Sequence, residues 1–259
     1  MSAAGRSLIV GVLGGMGPEA TVELMRRVIK VTPASDDQDH IRMLIEHNPK
    51  VPSRIKALID KTGESPAPVL ADMAMRLEAA GAGVLAMPCN TAHAYAVDIR
   101  AAVQVPLLDM IGLTAERISR MVLKSRRVGM LASTAVRTLG LYERALETHG
   151  IETVYPGDQD EMMRIIRAVK RGDTGPDLRR ALALAAEELH GKDADVLLVA
   201  CTELSMLADC LDDRQNVLDA LDVLVEEIVA CGLGTRLPLA KPATGDASKL
   251  KKLVRARSA

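Results

Sequence analysis

The chain has 259 residues, long enough for one large domain or two small ones that each bury a core. Its 33 basic residues nearly balance 34 acidic ones, so no global field draws in nucleic acid or acidic partners. Hydrophobic residues make up 48%, yet there is no Phe or Trp and Tyr occurs only at Tyr95, Tyr142 and Tyr155, which argues against stacking on single-stranded nucleic acid.

No uninterrupted apolar run approaches the roughly 18–20 residues of a membrane span. The opening MSAAGRSLIVGVLGG runs straight into a Gly-rich turn and a helix, unlike a cleaved signal peptide. A cytoplasmic protein is expected. The four cysteines (Cys89, Cys201, Cys210, Cys231) match no zinc spacing and are too few for a disulfide framework.

In chain order, SLIVGVLGG (7–15) predicts a strand and Gly turn, and PEATVELMRRVIKVT (18–32) an amphipathic helix opened by Pro18. IRMLIEHN (41–48) predicts a strand, and PAPVLADMAMRLEAAG (66–81) a helix closed by Gly81. GVLAM (83–87) reads as a strand, NTAHAYAVDIRAAV (90–103) as a helix and VPLLDM (105–110) as a short strand. RRVGMLAS (126–133), ETVYP (152–156) and VLLVA (196–200) read as strands. TLGLYERALETHG (138–150), DEMMRIIRAVKRG (160–172), LRRALALAAEELHG (178–191) and TELSMLADCL (202–211) read as helices. Alternating strands and helices predict an α/β fold with parallel sheets.

The pattern occurs twice. GVLGG begins at Gly11, 78 residues before Cys89, and GMLAS begins at Gly129, 72 residues before Cys201. Each half runs from a Gly-x-Leu strand through a helix to an apolar strand, a Cys and a Thr-containing helix start. Two similar α/β lobes, with parallel sheets flanked by helices and related by a pseudo-twofold axis, follow from this duplication, with an active site in the cleft between them. The expected lobes are 1–108 plus 213–235 and 109–212. The basic tail 236–259 is expected to be partly disordered or an accessory helix.

Both Cys89 and Cys201 fall at carboxyl ends of strands, where open α/β sheets bind ligands. At a helix N-terminus a thiolate gains from the helix dipole and free N–H groups, and the same groups cradle a carboxylate. Two such thiols facing each other suit a substrate with a carboxylate and an acidic C–H bond. One takes the proton from one face and the other returns one to the opposite face. Cys210 and Cys231 lack this setting and are assigned to packing. His93, four residues after Cys89, is read as structural. GGMGP (14–18) is neither GxGxxG nor a P-loop, which argues against nucleotide cofactors.

The chain resembles the cofactor-independent aspartate/glutamate racemases over residues 8–232, and within them aspartate racemase most. The resemblance is carried by GVLGGMGPEAT (11–21), DQDH (37–40), NPKVPSR (48–54), GESP (63–66), MPCNTAH (87–93), GMLASTAVRTLGLYE (129–143) and ACTEL (200–204). It implies that Cys89 and Cys201 are the catalytic pair, and that Asn90, Thr91 and Thr202 hold substrate beside them. It further implies that Arg54 and Lys170 bind the second carboxylate, and that Met16, Ser133 and Thr134 contribute to the substrate site. It also implies a small acidic amino-acid substrate, no cofactor, no metal and a homodimer. Lys50 and His47 depart from the family's common Gln and Asn, which bears on selectivity.

Other readings compete. Maleate isomerases of the wider superfamily also carry two cysteines, whereas the related malonate decarboxylases use one. A two-lobed protein that binds an acidic ligand without turnover is a further alternative. A cysteine hydrolase lacks a suitable His and orienting acid.

Overall fold

The computed structural model describes residues 7–211 and 216–238. Most of the tail expected at 236–259 lies outside them. The first lobe begins with β1 (Val10–Gly14), α1 (Pro18–Val31), β2 (Met43–His47), α2 (Arg54–Leu58) and α3 (Ala67–Ala79). It continues with β3 (Val84–Ala86) and α4 (Ala96–Ala102), and α5 (Met110–Ser119) leads out of it. The second contains β4 (Arg127–Ala132), α6 (Thr134–Leu139), α7 (Leu141–Glu147), β5 (Glu152–Val154), α8 (Gln159–Val169), α9 (Pro176–His190) and β6 (Val196–Ala200). It ends in β7 (Val217–Asp219) and α10 (Ala220–Gly232). Among the described residues no helix is long and apolar enough to cross a membrane.

Every strand pair is parallel. The first sheet has the order β2-β1-β3, and a bridge from Leu85 to Leu107 extends it on the β3 side. The second has the order β5-β4-β6-β7, the same order with a full strand where the first has a bridge. The duplication seen in the sequence is thus a duplication of topology.

The period of two along each strand builds the layers. Val10, Val12, Val84 and Ala86 of the first sheet, with Val128, Met130, Ala132, Leu198 and Ala200 of the second, face one shared core. Leu24 of α1, Met110 and Ile118 of α5, Tyr142 of α7 and Leu221, Leu224 and Ile228 of α10 complete it. On the outer faces, Leu13, Leu85 and Met87 pack with α3 and α4, and Leu131, Leu197 and Val199 pack with α8 and α9. One apolar core therefore welds the two lobes together. Gly11 and Gly129 occupy equivalent outward positions in β1 and β4. A Cβ at Gly129 would lie 2.8 Å from Leu197 Cδ2 and 3.0 Å from Leu189 Cβ, and one at Gly11 would lie 2.8 Å from Ala82 Cβ. Only glycine lets the outer helices and the turns that follow them approach this closely.

Several expectations are corrected. The helix expected over 90–103 is a 3₁₀ turn, Thr91–Tyr95, followed by α4. The helix expected over 202–211 is two 3₁₀ turns, Leu204–Met206 and Ala208–Cys210. The strand expected over 105–110 is reduced to the Leu107 bridge, because Asp109 accepts from the Gly112 N–H and opens α5 there. The helix expected over 138–150 is broken by Gly140, which is left-handed at φ 58° and divides α6 from α7. In the segment 213–235, which the sequence reading gives to the first lobe, β7 pairs with β6 in the second sheet, while α10 packs on α1 and α5 between the sheets.

Candidate active site

The carboxyl ends of both sheets open on one cleft lined by residues of both lobes. From the first lobe, the turn after β1 brings Met16, the start of α2 brings Ser53, Arg54 and Ile55, and the segment after β3 brings Cys89, Asn90 and Thr91. From the second, Ser133 follows β4, Cys201, Thr202 and Glu203 follow β6, and α8 with its C-cap supplies Met163, Ile166 and Lys170. Nine of the ten residues expected at the site line this cleft. Thr134 does not: it begins α6, and the neighbouring Ser133 spends its hydroxyl capping that helix, accepting from the Val136 N–H at 3.3 Å. Lys50 and His47 are exposed and lie outside the lining.

The two cysteines are each 7% exposed. His93 accounts for the local shape at Cys89: its Nδ1–H donates to the Cys89 carbonyl at 2.9 Å, and its Nε2 accepts from the Met110 N–H at 3.2 Å. Burial pushes its pKa down, so the ring is neutral with the proton on Nδ1. His93 is therefore the structural clip that its position suggests, tying the cysteine turn to the start of α5. Across the cleft, the Thr202 hydroxyl donates to the Pro88 carbonyl at 3.3 Å, joining the two cysteine segments directly.

The Cys201 thiol donates to Glu203 Oε2 at 3.0 Å, and Glu203 Oε1 lies 3.3 Å from Lys170 Nζ. Burial pushes the Cys201 thiol well up, and the Glu203 charge and hydrogen bond push it further, against the opposing pull of Lys170. This corrects the expectation of a thiolate favoured by a helix dipole. The segment after Cys201 forms short 3₁₀ turns rather than an α-helix, and the thiol's hydrogen-bond partner is a carboxylate. Burial pulls the Lys170 ammonium down, but Glu203 and then the cysteine sulfurs outweigh it, and its pKa stands above the usual value.

Arg54 is half-buried and, among the described residues, donates only to backbone, to the Pro52 carbonyl at 3.3 Å and the Met16 carbonyl at 3.4 Å. Among the described residues no carboxylate pairs with it. Its charge thus stands available at the cleft. Glu203 and the apolar wall of Ile55, Met163 and Ile166 were absent from the sequence reading. The signal for Glu203 was in the ACTEL motif, an acid two residues past a cysteine at a strand end. Cys210 donates to the Arg179 carbonyl at 3.3 Å and Cys231 is buried in the shared core, both outside the cleft lining.

This fold and cleft define a two-lobed, duplicated α/β protein with thiols from both lobes lining one site. Residues 13–228 match the family of Asp/Glu/hydantoin racemases, and the chain belongs to that family. Membership makes it an amino-acid racemase, an isomerase. The chain is 27% identical over 227 residues to the broad specificity amino-acid racemase RacX of Bacillus subtilis (strain 168), covering 86% of this chain and 97% of that one. Its fold is similar to that of Picrophilus torridus aspartate racemase, with a TM-score of 0.79, 31% identity and coverage of 94% and 98% of the two chains. An aspartate racemase homologue from Pyrococcus horikoshii OT3 shares the fold at a TM-score of 0.68 and 22% identity, covering 88% of this chain and 99% of that one.

Proposed function

We propose that the chain racemises acidic amino acids, aspartate foremost, without a cofactor, using Cys89 and Cys201 as two acid–base groups on opposite sides of the α-carbon. The observation that carries this reading is the arrival of both buried thiols in one cleft from equivalent strand ends of the two lobes. Glu203 holds the Cys201 proton on sulfur. In one direction Cys89, as thiolate, takes the α-proton and the Cys201 thiol supplies one to the other face. In the reverse direction the roles exchange.

Charge that develops on the substrate's α-carboxylate as the C–H bond breaks is met by the Asn90 amide, the Thr91 hydroxyl and the Thr202 backbone N–H, donors placed at the cleft before substrate arrives, while the Thr202 hydroxyl stays on Pro88. Arg54, with no acidic partner, is assigned to the distal carboxylate, and Lys170 assists from the far side of Glu203. Support for an acidic substrate comes from that free guanidinium and from the likeness to an aspartate racemase.

The test is chiral chromatography of L- and D-aspartate, L- and D-glutamate and a panel of neutral amino acids incubated with reduced, purified protein. The panel is included because the wall of Met163 and Ile166 and the RacX relative both favour some breadth. Conversion of aspartate in both directions is expected. Turnover confined to neutral amino acids would overturn the substrate assignment. Replacing Cys89 or Cys201 by Ala is expected to lower racemisation by about 10³-fold, the scale of a lost positioned acid or base.

A further inference from the structure

One group in the shared core reaches the site from the opposite lobe. Tyr142, on α7 of the second lobe, is 0% exposed, and its hydroxyl donates to Asn90 Oδ1 of the first lobe at 2.6 Å. Asn90 is itself 3% exposed and lines the cleft, and its Nδ2 is buried with no hydrogen-bond partner. A carboxamide has two ends of opposite character, and a half-turn about its last bond exchanges them. A buried amide nitrogen without an acceptor is costly, and native structures leave few such groups unexplained.

We propose that Tyr142 is a positioning residue that holds the Asn90 carboxamide with its oxygen toward the second lobe and its NH₂ reserved for the carboxylate of the bound amino acid. The claim rests on the reading of the cleft as a site for an acidic amino acid. By holding the oxygen, Tyr142 keeps a second acceptor from facing an anionic ligand. The Tyr142 bond and the Thr202–Pro88 bond run from different elements of the second lobe to the same segment of the first, residues 88–90, so the orientation of Asn90 depends on how the two lobes meet.

Tyr142→Phe removes the hydroxyl and leaves the ring's packing in place. With L-aspartate as substrate, this variant is expected to raise KM about tenfold with kcat changed less than threefold, the pattern of a lost binding contact. In an Asn90→Ala background the same substitution is expected to cost nothing further, since the two residues act as one unit. Additive losses, or a fall confined to kcat, would overturn the proposal.

A readout independent of turnover is available because the chain has only three asparagines, Asn48, Asn90 and Asn216. With ¹⁵N-asparagine labelling, the Asn90 side-chain signals, assigned by their loss in Asn90→Ala, are expected to shift in Tyr142→Phe and, in the wild type alone, to shift strongly on adding L-aspartate. Asn90 signals indifferent to Tyr142→Phe would overturn the proposal. A wild-type protein that neither racemises nor binds any acidic amino acid would overturn the substrate reading instead, and the Asn90 signals would still decide whether Tyr142 holds the amide.

Discussion

Between the Cys201 thiol and the Lys170 ammonium stands one carboxylate, that of Glu203, 3.0 Å from the sulfur and 3.3 Å from the nitrogen. Burial is the larger cause of the raised thiol pKa and Glu203 the next. Glu203→Gln removes a negative charge and leaves Lys170 unopposed, so the Cys201 pKa is expected to fall. The pH profile of kcat/KM reports acid and base in the free enzyme. For the enantiomer on which Cys201 acts as base, the rising limb moves to lower pH. For the other enantiomer, on which it acts as acid, the falling limb moves to lower pH. Profiles unchanged for both enantiomers would remove Glu203 from the mechanism. Arg54→Gln, in turn, is expected to raise KM for aspartate by ten- to a hundredfold, the scale of a charge-assisted hydrogen bond, with little effect on a neutral amino acid. Equal effects on both would assign Arg54 to the fold. These two residues were unequally legible. Arg54 is reached through the NPKVPSR resemblance, whereas ACTEL places Glu203 near a cysteine in sequence and only the folded turn aims its carboxylate at the thiol.

Elements were legible where one local rule governs them. Pro18 and the apolar period define α1, observed at Pro18–Val31. They were illegible where tertiary contacts override the period. TELSMLADCL has a helical pattern, yet Glu203 is taken by Cys201 and Lys170, and Ser205 by Asp219 at 2.8 Å, and the segment is pulled into 3₁₀ turns. Helix α10 is hard to read from periodicity because ten of its residues are buried and its polar face is narrowed to the exposed pair Asp222 and Glu226. Two predictions belong at this scale. Gly129→Ala in β4 places a methyl group against Leu189 and Leu197 and is expected to destabilise by about 1–3 kcal/mol in urea unfolding. An unchanged midpoint would mean that α9 yields freely.

The second concerns the clip between the Cys89 turn and α5. His93 is buried and neutral, so its pKa in the folded state lies below the ordinary value of about 6.5. Above that value both folded and unfolded chains hold it neutral. As pH falls below it, the unfolded chain gains a proton that the folded chain refuses, and stability is lost at up to about 1.4 kcal/mol per pH unit. Urea midpoints measured from pH 8 to pH 5.5 are expected to fall in the lower half of that range. In His93→Gln the fall is expected to flatten; an equal slope would place the titration elsewhere.

At the scale of the whole molecule, duplication explains both what the sequence disclosed and what it concealed. The repeated strand, cysteine and threonine made two lobes and a shared cleft legible before any coordinates. The contacts that join the halves were not legible, because they link residues far apart in sequence. Arg27 of α1 is one such contact: it donates to Asp219 at 2.7 Å and to the Ser205 carbonyl at 2.7 Å, fastening the first lobe to the segment that carries Cys201. Tyr142 and Asn90, 52 residues apart, are another. Such contacts hold the two thiols in one geometry, and that geometry is the central claim. The most direct test follows deuterium from D₂O during racemisation of L- and D-aspartate by the wild type, Cys89→Ala and Cys201→Ala. Two opposed thiols predict deuterium in the product enantiomer at early times, little in recovered substrate, and loss of racemisation in both variants. Equal early deuterium in substrate and product, or racemisation near the wild-type rate in either variant, would contradict the account.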